Sequence, residues 1–166
     1  MIGFQKLWRH LTMTSHAARR AFPPETLTEV ETIIADGEER HRAEIRVIIE
    51  TTFSFFDLLK GKTSRTRALE LFERYKIRHT KENTGILVYI NMADRKIEIL
   101  TDTGIDKQIN AVTWQAICKE MANQFREKHF RNGLCQALDE MNRLLALHFP
   151  RQSARENALP DTPVIL

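Results

Sequence analysis

The run Gly85 to Asn91 (GILVYIN) is apolar on both faces apart from Tyr89 and Asn91, and it constrains the fold more than any other segment. A strand of that kind has to be covered on both sides, so it belongs in the middle of a sheet with helices above and below. Ala93-Asp94 makes a turn directly after it, and Lys96 to Thr101 (KIEILT) returns as a further strand. Strands separated by so few residues pair as an antiparallel hairpin. Upstream, Ala43 to Glu50 (AEIRVIIE) is short and β-branched, with Ile45, Val47 and Ile49 on one face and Arg46, Ile48 and Glu50 on the other.

Between these strands the segment TTFSFFDLLKGKT reads as a loop or short helical turn. Its Phe53, Phe55, Phe56, Leu58 and Leu59 are more numerous than a solvated loop tolerates, so it reads as a buried flap that covers something, with a binding surface as the alternative. A helix begins near Thr63 or Ser64, either of which suits an N-cap, and presents Ala68, Leu69 and Phe72 inward. One such strand-helix-strand crossover makes the first two strands parallel, with a right-handed connection.

The remaining periodicity is helical. Phe4, Leu7, Trp8 and Leu11 place a basic amphipathic helix over residues 4–20, broken by Phe22-Pro23-Pro24. A second helix starts around Pro24, with Leu27, Val30, Ile33 and Ile34 inward. Trp114, Ile117, Cys118, Met121, Ala122 and Phe125 form one late stripe, with Trp114 in the core. Leu134, Leu138, Met141, Leu144 and Leu145 form another, with Asn132 as cap and His148 near the C-terminal end. The expected architecture is a three-layer α/β/α sandwich around a small mixed sheet, a parallel pair plus an antiparallel hairpin. Residues 1–22 form the N-terminal helix, 23–150 the α/β domain, and 151–166, with two prolines and no periodicity, a mobile tail.

Charge is unevenly placed. Residues 1–24 carry Lys6, Arg9, Arg19 and Arg20 and no acid, whereas the rest holds 21 basic and 22 acidic residues. A nearly neutral body has no footprint for nucleic acid. Cys118 and Cys135 sit beside apolar helix positions and read as reduced, buried thiols, which together with the lack of an export-type leader or a long apolar span points to the cytoplasm.

The expected topology gathers polar groups at two ends of the sheet. Glu50, Thr51, Thr52, Asn91, Asp94 and Arg95 lie at the carboxyl end of the parallel pair, the end where open α/β sheets usually bind ligands. Glu82, Asn83, Thr84 and Gly85 meet Asp102, Thr103 and Gly104 at the other, with His41 and Glu44 on that side. Asp94-Arg95 is either a solvated tight turn or a carboxylate beside a cation for an anionic substrate. Asp102 is either a strand-ending turn residue or an oxygen ligand for calcium or magnesium, its shell completed by Glu82 or Asn83. The basic N-terminal helix either packs on the domain or meets a protein partner or an anionic membrane surface. No HExxH, P-loop, GxSxG or GxGxxG motif is present.

From about residue 27 to 149 the chain resembles TPM-domain proteins, a thylakoid lumen phosphatase-like family. The resemblance is carried by AEIRVIIE at 43–50, ALELFERYKI at 68–77, NTGILVYI at 83–90, ADRKIEILTDTGI at 93–105 and FREKHFRNGL at 125–134. The N-terminal part looks like a short, signal-less bacterial branch. The resemblance implies one of two roles. One is a divalent-cation-dependent, phosphatase-like hydrolase, with Asp94 and Arg95 catalytic and Glu82, Asn83 and Asp102 as metal ligands. The other is a non-catalytic accessory module, cytoplasmic and peripheral at the inner membrane. The chain departs from the family pattern at Phe22-Pro23-Pro24-Glu25, where many members carry an aspartate. It departs again at Thr84, in place of a second asparagine, and at Asp102, where the first of a glycine pair would stand. These losses favour the accessory role.

Overall fold

The computed structural model describes residues 8, 10, 13, 15–152 and 158–166. Four strands form one mixed sheet: β1 (Glu44–Glu50), β2 (Gly85–Asn91), β3 (Lys96–Thr101) and β4 (Val164–Ile165), in the spatial order β3-β2-β1-β4. β1 and β2 are parallel, with Glu44 opposite Gly85 and Glu50 opposite Asn91. β2 and β3 are antiparallel, and β4 runs parallel to β1. As the two-faced apolar pattern of GILVYIN requires, every residue of β2 is buried.

Among the described residues, seven continuous α-helices surround the sheet: α1 (Ser15–Ala21), α2 (Pro24–Glu38), α3 (Phe55–Leu59), α4 (Ser64–Arg74), α5 (Thr103–Asp106), α6 (Ala111–Arg126) and α7 (Phe130–His148). The odd-numbered side chains of β1 (Ile45, Val47, Ile49) share a large core with Ile86, Val88 and Ile90 of β2 and with α2, α6 and α7. The other face is covered more thinly, by α4 and the 3-10 turn Ile77–His79 over Ile48, Leu87, Tyr89 and Leu100. The three-layer sandwich is therefore present with unequal covers.

Several details differ from the sequence reading. α4 buries Ala68, Leu71 and Phe72, while Leu69 is turned outward, because positions 68, 71 and 72 fall on one helical face and 69 does not. α7 begins at Phe130, so Asn132 lies inside it and accepts from Arg131 instead of capping. The described end of the tail, residues 158–166, packs on the domain. The Leu159 side chain is buried in the α4-side core and Leu166 N–H donates to Ile49 O at 2.8 Å. Arg46, buried within β1, donates to the carbonyls of Pro160 and of Thr162, the latter at 2.9 Å. The tail has no period because only isolated residues and main-chain groups hold it. In the N-terminal helix, Phe4, Lys6, Leu7, Arg9 and Leu11 lie outside the described residues; Trp8 and His10 are helical, Trp8 exposed and His10 buried.

Candidate functional site

The carboxyl ends of β1 and β2 converge on a buried polar cluster. Glu50 closes β1, and α4 starts above it because Thr63 caps the helix by accepting from Thr66 N. Arg67, in the first turn, therefore reaches down to Glu50. Its Nε donates to both carboxylate oxygens at 3.1 and 3.0 Å, and Nη2 donates to Oε1 at 2.7 Å. Tyr89 donates its hydroxyl to Glu50 Oε2 at 2.5 Å, and Asn91 Nδ2 donates to that hydroxyl oxygen at 3.1 Å. The bidentate carboxylate raises the Arg67 pKa, whereas burial first, and then Glu50, pushes the Tyr89 hydroxyl upward.

Asn91 links this pair to the hairpin turn. Its Oδ1 accepts from Asp94 N at 2.7 Å, the local side-chain bond that favours asparagine at a turn. Asp94 is then held from two sides. His10 Nε2 lies 2.9 Å from Oδ1, and Ser64 Oγ donates to Oδ2 at 3.2 Å. Because Phe53 N–H donates to His10 Nδ1 at 3.0 Å, Nδ1 is the acceptor and Nε2 carries the proton that Asp94 accepts. The His10 ring stacks on Phe53, with centroids 5.1 Å apart. Arg95 does not join the cluster. It is exposed, adopts φ 54 in the left-handed region, and lines a groove along β3.

The opposite end holds Glu82, Asn83 and Asp102. Asp102 is buried; its Oδ1 accepts from Thr103 N at 2.7 Å and caps α5, while Oδ2 has no hydrogen-bond partner among the described residues. Asn83 adopts φ 54, and its carbonyl accepts from Gly104 N at 2.9 Å. A Cβ on Gly104 would stand 2.5 Å from Asn83 O and 2.7 Å from Glu82 O, so glycine is needed for this close approach. The Glu82 carboxylate is drawn to Arg42 Nη1 at 2.5 Å. The sheet thus brings Asp102 beside the 82–85 segment and leaves Asp94 and Arg95 at the other end. Among the described residues, no three His, Cys, Asp or Glu side chains converge as a ligand set.

Sequence reasoning missed His10, Ser64, Arg67 and Tyr89 as parts of this cluster. Tyr89 had left a signal, as one of two polar interruptions in an otherwise apolar strand. His10 and Arg67 had left none, because their partners lie 84 and 17 residues away. The Phe53–Leu59 segment also departs from the expected flap. Ser54 caps α3 by accepting from Asp57 N, which turns Phe53 and Leu58 inward. Phe55, Phe56 and Leu59 are left 55%, 74% and 59% exposed. Lys60 is exposed beside them, whereas Lys62 is held by Asp57 and Glu70, whose hydrogen bonds raise its pKa.

The fold and its polar ends define a mixed α/β sandwich whose strand-end charges are tied to one another. The family model of the TPM domain matches residues 18–144, and the chain belongs to that family. The fold is similar to the NMR structure of the BA42 protein from the psychrophilic bacterium Bizionia argentinensis, at 26% identity and TM-score 0.74, covering 85% of this chain and 92% of that one. It is also similar to the solution structure of the N-terminal domain of a P. gingivalis protein, at 16% identity and TM-score 0.62, covering 80% and 83%. No curated protein matches the chain.

Proposed function

We propose that this TPM-domain chain is a non-catalytic accessory module that works by contact with an anionic membrane face, through the tip of α3. The carrying observation is the tip itself: Phe55, Phe56 and Leu59 stand exposed on a five-residue helix, next to Lys60. Burying each large apolar side chain is worth about 1.5–3 kcal/mol, and a cation near an anionic bilayer adds about 1 kcal/mol. Such a tip gives reversible, peripheral attachment and no insertion; among the described residues, no helix is long and apolar enough to cross a membrane. Trp8 is exposed two residues before His10, which stacks on Phe53 just ahead of α3, and so stands on the same side of the domain. Opposed to catalysis at Asp94, both carboxylate oxygens already accept hydrogen bonds, and Arg95 faces elsewhere.

Co-sedimentation with phosphatidylglycerol-containing vesicles tests the reading. The chain should pellet with them and not with phosphatidylcholine alone, and the Phe55→Ser/Phe56→Ser double variant should stay in the supernatant. A wild-type chain that ignores both vesicle types overturns it.

A second reading has one observation in its favour, the buried Asp102 Oδ2 that lacks a partner among the described residues. The carbonyls of Glu82 and Asn83 face Gly104, two residues further on, and together with that oxygen they are the hard donors that calcium or magnesium takes. Cation-dependent hydrolysis of a phosphomonoester that disappears in Asp102→Asn would establish this hydrolase reading and displace the accessory one.

A further inference from the structure

We infer that the outer edge of β3 is a docking groove for an extended, acidic segment of a protein partner, which joins the sheet as a fifth strand. The inference goes beyond membrane contact and does not rest on it. Its first basis is the hydrogen-bond parity of the sheet. Asp102 N donates to Gly85 O, and Met92 N donates across to Glu50 O. With the β2–β3 register, these bonds turn the main chains of Leu100, Glu98 and Lys96 toward β2 and leave those of Ile97, Ile99 and Thr101 facing outward. β3 ends the sheet, so no strand among the described residues covers these outward groups. The Ile99 main chain is hydrogen-bonded to the Cys118 thiol, so a docked segment would meet first the outward groups of Ile97 and Thr101 on either side of that contact.

The second basis is the shape of the edge. α4 and α6 overhang β3 from opposite faces and enclose a groove of about 1350 Å³. That exceeds the roughly 300–1,000 Å³ of pockets that take small molecules, and the groove runs along the strand, as a peptide would. Leu69 and Phe72 line one wall, Trp114 and Ala122 the other. The Trp114 side chain is buried, and its indole N–H has no acceptor among the described residues. A buried donor left unpaired is costly, and a carbonyl or carboxylate of an added segment would satisfy it.

The third basis is charge. Arg95, Lys96, Lys119, Arg126 and Lys128 are exposed along the groove and make no ion pair among the described residues. The groove's two acids are engaged, Glu98 with Arg65 and Asp106 with Thr101. A lysine on an edge strand guards against aggregation, and Lys96 alone would meet that need. Cations from the hairpin turn, β3, α6 and the following turn together form a surface complementary to an acidic segment.

The test is an amide and indole NMR titration of the full chain with a synthetic peptide alternating glutamate and valine. The backbone amides of Ile97, Ile99 and Thr101 and the Trp114 indole should shift, while the Trp8 indole stays in place as an internal control. A lysine–valine peptide, and a glutamate–valine peptide N-methylated at alternate residues, should leave these signals unmoved. The Lys119→Glu/Arg126→Glu variant should bind roughly tenfold more weakly, with its spectrum otherwise retained. The milder Lys119→Gln/Arg126→Gln pair serves if the first variant loses dispersion. An unmoved groove at millimolar peptide, or equal response to the lysine–valine or N-methylated peptide, overturns the proposal. So does concentration-dependent dimerisation through the same amides, which would assign the edge to a second copy of the chain. Vesicle binding by the groove variants should match wild type, so the outcomes for the two surfaces can be told apart.

Discussion

The outer sides of β1 and β3 are finished in opposite ways, the first partly covered by β4 and the second by no described strand. Along β1, the Ile45 N–H donates to the Glu38 carboxylate at 2.8 Å, and β4 takes the main chain of Ile49 and Thr51. The charges there face inward: Glu44 and Arg46 are buried, and both bond the tail, Glu44 Oε2 accepting from Ala158 N at 3.0 Å. Along β3 the main chain is open and the cations are solvated. The difference separates charges committed to holding the fold from charges free to meet a partner. Each can be tested by what its removal does to stability.

The largest effect should come from the most committed charge. Arg67→Ala leaves Glu50 buried beside Tyr89 with its cation gone, which costs about 3–5 kcal/mol for a buried pair broken on one side. Urea or guanidinium denaturation reads this directly. A loss below about 1 kcal/mol would place the Arg67 pair with weak surface pairs and blur the distinction.

Next comes the edge of β1. Leu159→Ala removes the apolar anchor of the tail and should cost about 2–3 kcal/mol, the low end of leucine truncations because the segment can relax. Amide exchange should quicken at Thr51 and Leu166, two of the N–H groups that join β1 to the tail. Unchanged exchange at both would mean that the β1 edge is closed without Leu159.

Much of this arrangement was legible in the sequence, for a definite reason. The strands and the long helices bury continuous stripes, and periodic burial leaves a periodic pattern; GILVYIN and the Trp114–Phe125 stripe are the clearest cases. Placing Asp102 against Asn83 followed from topology alone, since a short hairpin fixes which strand ends are neighbours. What escaped rests on single long-range contacts. The described tail is held by Leu159, by isolated bonds to Glu44 and Arg46 and by one short ladder, none of which repeats. His10 meets Asp94 across 84 residues, and an isolated histidine carries no mark of its partner. Leu69 was misassigned because one register step on a helix separates the buried face from the groove wall.

A pH test sharpens the β1 side further. His41 pairs antiparallel with Pro150 and so aims the chain toward the tail strand. Burial lowers its pKa, opposed by hydrogen bonds to Asn142 and Ala43, and nearby Arg40 adds to the lowering. The folded state therefore binds a proton less readily than the unfolded state. Stability should be full above about pH 6.5 and fall as pH drops below that value toward the folded pKa. His41→Gln should flatten that slope in denaturation midpoints measured across this range; a slope identical to wild type would assign it to other groups.

The smallest effect on stability should come from the open edge. Lys119 and Arg126 are solvated and unpaired among the described residues, so Lys119→Glu/Arg126→Glu should move the unfolding free energy by no more than about 0.5 kcal/mol per site. Salt dependence gives a second reading. If these cations only repel one another, the variant gains stability at low ionic strength and the gain fades as salt screens it. A destabilisation comparable to Leu159→Ala would mean that the groove cations help to hold the fold. The contrast between the two edges would then be one of shape alone, because the charges at both would be structural.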